Sequence, residues 1–104
     1  MNAKELNRQL LEAAEKGDFD RILELVELGA DVNAQDRWGW TALIWSARSG
    51  QLTPELLKTF ISHGANINAR DEDGWTALIW SAWYGTLTPE FLGTFISNGA
   101  DVNA

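Results

Sequence analysis

A chain of 104 residues, 45% hydrophobic and 22% charged, fits one small globular domain. Its net charge of −7 opposes nucleic-acid binding by counterion release, and the absence of cysteine excludes a disulfide framework and a thiolate metal site. The single histidine, His63, cannot make a histidine cluster, the apolar runs are too short to span a membrane, and Met1-Asn2-Ala3-Lys4-Glu5 lacks the apolar core of a signal peptide.

The first element predicted is a helix opened by Asn2, with Glu5 three residues on to complete a capping box. Leu6, Leu10, Ala13 and Ala14 follow at helical spacing. Gly17 suits the left-handed position after that helix, and Asp18 caps a second one. In the second helix Phe19, Ile22, Leu23 and Val26 mark an apolar face, and Gly29 ends it. Lys4, Glu5, Arg8, Glu12, Glu15, Asp20, Arg21, Glu24 and Glu27 fall on the outward faces, so residues 1–34 read as a polar end unit.

A loop Gly29-Ala30-Asp31-Val32-Asn33-Ala34 comes next and recurs at 64–69 and 99–104. Residues 35–69 and 70–104 align without gaps and are identical at 24 of 35 positions, including the nonapeptide Gly39–Ala47, repeated as Gly74–Ala82. Each unit opens with a type I turn, Asp36-Arg37-Trp38-Gly39 or Asp71-Glu72-Asp73-Gly74. Thr41 and Thr76 cap a short helix ending near Gly50 or Gly85. Thr53-Pro54-Glu55 and Thr88-Pro89-Glu90 start a longer one: threonine caps, proline takes the first helical position, and glutamate meets the positive end of the dipole. Leu56, Leu57, Phe60 and Ile61 form its apolar stripe, echoed by Phe91, Leu92, Phe95 and Ile96.

Turn, short helix, longer helix and Gly-Ala-Asp-Val-Asn-Ala loop together resemble the ankyrin repeat, over the whole chain: a capping unit at 1–34 and repeats at 35–69 and 70–104. The resemblance implies an all-α, ankyrin-type helix-turn-helix solenoid that binds proteins and carries no cofactor. Three departures stand out. The units have 35 residues where the family has 33, the extra pair falling near Gln51-Leu52 and Thr86-Leu87. Ala42 and Ala77 replace the family's proline. Ile44 and Ile79 replace its histidine, so apolar packing must stand in for threonine–histidine hydrogen bonding between repeats. Leu52 and Leu87 are expected beneath the Thr-Pro-Glu helix starts. Repeats this alike and this neatly capped are what consensus engineering or a recent duplication produces. For a natural protein the lack of cysteine and signal peptide points to the cytoplasm or another reducing compartment; for an engineered one no compartment is implied.

Catalytic chemistry finds no grouped acid, base and nucleophile. His63 stands at a helix end, and Ser46, Ser62, Ser81 and Ser97 recur with the repeat as small packing residues. Asp71-Glu72-Asp73 lacks the spaced ligands of a calcium loop and reads as a solvated turn. The six tryptophans are different, since all lie in 35–104, three to a unit. The resemblance maps Arg37, Trp38, Trp40, Arg48 and Ser49, then Glu72, Asp73, Trp75, Trp83 and Tyr84, onto the family's variable contact positions, with Trp45 and Trp80 close by. Trp80, Trp83 and Tyr84 share one helix face by spacing alone. Ladders of Trp40 on Trp75 and Trp45 on Trp80 are expected, with Trp38, Trp40 and Trp75 partly exposed. Trp45 and Trp80 divide evenly between core and surface.

Arrays of this kind bury each unit against its neighbours, so the far face of 70–104 is expected to be open. Tyr84, Leu87, Phe91 and Phe95 are the candidates for that face, and Lys58 of the middle unit becomes Gly93 there. Self-association as a symmetric homodimer through the last repeat is the competing expectation, against a foreign protein partner. No metal, membrane or nucleic-acid partner is expected.

Overall fold

Side-chain caps decide where the helices start. In the computed structural model, which describes residues 2–102, Asn2, Asp18, Thr41, Thr53, Thr76 and Thr88 each accept a hydrogen bond from the backbone N–H three residues on. The helices that follow are α1 (Ala3–Lys16), α2 (Phe19–Glu27), α3 (Ala42–Arg48), α4 (Pro54–Ser62), α5 (Ala77–Trp83) and α6 (Pro89–Ser97). Among the described residues these six are joined by turns, with no strand, as an all-α solenoid requires. The loop glycines Gly29, Gly64 and Gly99 have φ of 105°, 89° and 88°, where any side chain would be strained. The expected loop at 99–104 is described only to Val102; Asn103 and Ala104, like Met1, lie outside the described residues.

Two local expectations need correction. Only half of the capping box forms: Asn2 Oδ1 accepts from Glu5 N at 2.8 Å, but the Glu5 carboxylate turns to Arg8 and Gln9 instead of back to Asn2. That pairing holds its carboxyl at about 2, far below the ordinary 4.5, chiefly through the Arg8 hydrogen bond and then the Gln9 one. In α2 the buried face is Ile22, Leu25 and Val26, with Leu23 only half-buried, because the helix leans its 22–25–26 edge on the core.

Packing runs along the array. α1 packs on α2 and on α3, α3 on α5, and α4 on α6, giving a molecule 39 Å long and 26 by 21 Å across. Ala14, Leu10, Leu43, Ala47, Leu57, Phe60, Ala77 and Phe95 belong to one continuous core. The extra residue pair of the middle unit works from both sides. Leu52 is buried, both Gln51 N and Leu52 N donate to Ser46 O, and the Gln51 side chain lies so close over Gly17 that a Cβ there would stand 2.5 Å from Gln51 Cγ. In the last unit Leu87 packs against the core but is only partly buried, and Thr86 N and Oγ1 both donate to Ser81 O.

Polar contacts between units run through the loops. Asn33 Nδ2 donates to Gly64 O at 2.9 Å while Asn33 Oδ1 accepts from Asn66 N at 2.7 Å. Asn68 repeats both bonds with Gly99 O and Asp101 N at the same distances. Asn7 Oδ1 starts the series by accepting from Asp31 N at 2.8 Å. Asparagine bridges thus occupy the polar role left by the missing histidines, and Ile44, fully buried, supplies the apolar one.

Candidate protein-binding surface

Each repeat unit builds its aromatic surface on one aspartate. Asp36 Oδ1 accepts from Trp38 N and Trp40 N at 2.9 and 3.0 Å, and Gly39 N donates to Asp36 O to close the turn. The other carboxylate oxygen, Asp36 Oδ2, accepts the indole N–H of Trp45 at 2.8 Å. Asp71 does the same for Asp73 N, Trp75 N and Trp80 Nε1, each at 2.9 Å. One carboxylate therefore ties the turn to α3 or α5 and orients an indole. Sequence reading gave these aspartates only a turn role. The nine-residue spacing Asp36 to Trp45, repeated at Asp71 to Trp80, was the available signal. Asp71 is buried with its oxygens taken by three N–H groups. Among the described residues no group of three potential metal-ligating His, Cys, Asp or Glu side chains occurs.

The tryptophans form a zigzag, not two ladders. Ring centroids of Trp45 and Trp40 lie 4.5 Å apart, Trp40 and Trp80 6.3 Å, Trp80 and Trp75 4.5 Å, and Trp75 and Trp83 5.6 Å. The step between units is Trp40 to Trp80, whose indole Asp71 Oδ2 holds in place. Tyr84 stacks on Trp80 at 6.1 Å and 22°. Tilted and offset pairs at these separations suit the ring quadrupoles.

Exposure divides the candidates. Trp83 is 69% exposed, Tyr84 48% and Trp38 42%. Arg37, Arg48, Glu72 and Asp73 are also exposed, while Trp45, Trp75 and Trp80 are partly buried. Trp40 was expected at the surface and is instead buried at 9%, enclosed by Trp45, Trp80 and the Arg48 guanidinium. Arg48 Cζ lies 4.8 Å from the Trp40 ring, 5.6 Å from Trp45 and 5.8 Å from Trp80, and Arg37 Cζ lies 4.4 Å over Trp38.

The far face of 70–104 also differs from expectation. Phe91 and Phe95 are buried at 2% and 0%, because they point back into the core like their counterparts Leu56 and Phe60. The apolar side chains that stand open are Leu92, Ile96 and Val102, with Tyr84 beside them in exposure. Two open depressions, one on the first unit lined by Arg8, Gln9, Glu12, Lys16 and Arg21 and the other between it and the next unit, lined by Lys4, Asn7, Leu11, Gln35 and Asp36, contain none of the tryptophans. The charged groups of the first pair within their own helices, Arg8 and Lys16 with Glu12 in α1 and Arg21 with Glu24 in α2.

Capped helix pairs stacked in register, with binding-type side chains gathered at the turns, define a repeat solenoid. The chain belongs to the ankyrin repeat family, matching the family described as "Ankyrin repeats (3 copies)" over residues 10–104. It is 42% identical over 62 residues to human ankyrin repeat domain-containing protein 40, covering 57% of this chain and 17% of that protein. It is 40% identical over 55 residues to the mouse 2-5A-dependent ribonuclease, covering 52% of this chain and 7% of that protein. An ankyrin repeat protein of Rickettsia felis is 43% identical over 49 residues, 47% of this chain and 78% of that one. The chain thus spans only a small part of the mammalian relatives. Ankyrin repeats generally mediate protein–protein interaction, and the family is typically a non-catalytic binding module. No helix among the described residues is long and apolar enough to cross a membrane.

Proposed function

We propose that this chain is a protein-binding module that engages its partner through the tryptophan-rich turn and helix surface of 35–104, and that it performs no catalysis. The observation that carries the reading is the exposure of Trp38, Trp83 and Tyr84 beside Arg37, Arg48, Glu72 and Asp73, on a frame that the Asp36 and Asp71 carboxylates hold in place. Rigid aromatic side chains and arginines cover large contact areas at low entropic cost and dominate interface energetics. Trp75 packs against Trp83 and Trp80 against Tyr84, while Trp40, with Trp45 beside it, belongs to the frame and not to the contact surface. Ser46 and Ser81 are buried, Ser62 and Ser97 donate to backbone carbonyls of their own helices, and His63 is exposed at the end of α4, so among the described residues none of these serines is paired with the histidine as an activated nucleophile. The ribonuclease among the relatives matches over a small part of its length.

The test is selection of a displayed random peptide library on the intact chain, followed by affinity measurement on Trp83→Ser and Trp38→Ser. Selected peptides should weaken by about tenfold or more on at least Trp83→Ser, the cost of losing one hot-spot ring. Peptides that bind both variants as well as the parent would contradict the reading.

A second reading is favoured by the open face of the last unit. Leu92, Ile96 and Val102 are 36%, 53% and 59% exposed, whereas their counterparts Leu57 and Ile67 are buried and Ile61 is half-buried. A second copy of the chain apposed through this face would form a symmetric homodimer. Head-to-tail stacking is disfavoured because the outward side of α1 and α2 carries Lys4, Arg8, Glu12, Glu24 and Glu27. Sedimentation should then give twice 11.6 kDa, falling to 11.6 kDa in Ile96→Glu; a monomer at high concentration would contradict it.

A further inference from the structure

The two units treat cations differently. Both arginines of 35–69 that lie near tryptophans are stacked on them, Arg37 over Trp38 and Arg48 over Trp40, Trp45 and Trp80. The last unit keeps Trp75 and Trp80 where the middle unit has Trp40 and Trp45, but loses both arginines and the Trp38 ring: Glu72 stands at the position of Arg37, Asp73 at that of Trp38 and Trp83 at that of Arg48. Trp83 packs at a tilt against Trp75 where Arg48 lies over Trp40, yet its own ring remains 69% exposed, with Tyr84 beside it at 48%. Carboxylates accumulate as the cations leave. Residues 70–104 hold Arg70 as their one Lys or Arg against Asp71, Glu72, Asp73, Glu90 and Asp101, and Arg70 lies on the Asp101 side, 3.9 Å from its carboxylate. Glu72 and Asp73 are exposed on the turn that leads directly into Trp75.

We infer that the aromatic patch of the last unit takes an arginine side chain of the partner protein, stacked on Trp83 or Tyr84 and attracted by Glu72 and Asp73. The inference rests on the protein-binding reading above and specifies its partner: a basic segment that bears arginine. Arg48 supplies the precedent within the same fold, since its guanidinium already packs on tryptophan rings of the same surface, Trp40, Trp45 and Trp80. Arginine is favoured over lysine because a planar, weakly hydrated guanidinium stacks on an indole while an ammonium keeps its water. The negative balance of the unit steers such a segment and repels an acidic one.

The experiment uses fluorescein-labelled octapeptides of glycine and serine that carry two arginines, two lysines or two glutamates, titrated against the full chain by fluorescence anisotropy. The arginine peptide should bind about tenfold more tightly than the lysine peptide, and the glutamate peptide not at all. Trp83→Arg, which installs in cis the cation found in the middle unit, should weaken the arginine peptide by about tenfold or more, as should Tyr84→Ala by several-fold. Glu72→Gln with Asp73→Asn should weaken it and flatten its salt dependence. Because Trp83 and Tyr84 are exposed, these variants should melt with the parent. Equal binding of the arginine and lysine peptides, or binding untouched by Trp83→Arg and Tyr84→Ala, would overturn the inference. If the arginine peptide does not bind while library-selected peptides still depend on Trp83, the arginine inference falls and the binding surface stands. If the selected peptides are also indifferent to Trp83, both fall.

Discussion

Leu57 and Leu92 occupy one position in two nearly identical units, but Leu57 is fully buried and Leu92 is 36% exposed. Ile67 and Val102 differ in the same sense, at 6% and 59%, and Ala47 is buried at 2% where Ala82 is exposed. Phe60 and Phe95, by contrast, are both buried at 0%. One side of the 70–104 unit is therefore core by virtue of 35–69, and the other is surface because the described chain places no unit against it. In a solenoid, burial is a property of the neighbour and not of the repeat.

That comparison breaks most sharply in paired truncations. Leu57→Ala should cost about 2–5 kcal/mol in chemical denaturation, whereas Leu92→Ala should cost less, about 1–2, since part of its surface already lies in water. Equal losses would mean that the last unit is covered in solution. Asp36→Ala and Asp71→Ala should each cost about 2–3 kcal/mol, because each strands three N–H donors, with Asp71 the larger for being buried. Asn33→Ala should cost about 1–2 kcal/mol by removing the two bonds that join the first loop to the second. Ser46→Ala and Ser81→Ala should be neutral or stabilising by up to about 1 kcal/mol, since both hydroxyls are buried without a hydrogen-bond partner.

The smallest effect tests the end unit against the repeats. Glu5 has a depressed folded-state pKa, so its contribution to stability is complete above its ordinary 4.5 and is lost as pH falls toward about 2. Arg8→Ala should return the Glu5 carboxyl toward 4.5 in an NMR titration, with little change at pH 7 in a pair so exposed.

The helices were legible because their start signals are local: asparagine, aspartate and threonine caps act within three residues, and so do the Thr-Pro-Glu starts. The ankyrin repeat was legible because its turn and loop motifs recur in register. What escaped depends on partners far along the chain. Asn33 reaches Gly64 and Asn66, so a loop asparagine that looks like a turn residue is a bridge between units. Trp40 sits in a motif repeated at Trp75, yet Arg48 and Trp80 bury it, while its counterpart keeps part of its surface. Phe91 and Phe95 share an apolar stripe with Leu92 and Ile96, and periodicity does not say which edge of a wide stripe faces the neighbour already present.

The division of the aromatic set into frame and contact surface is open to one direct measurement. With 5-fluorotryptophan incorporated and each fluorine resonance assigned by single substitution, the solvent isotope shift between H2O and D2O reports exposure ring by ring. Trp83 should show the largest shift, Trp38 the next, and Trp40 almost none, following exposures of 69%, 42% and 9%. A Trp83 resonance as indifferent to solvent as that of Trp40 would contradict the account, because the ring on which partner binding is built would then be part of the core.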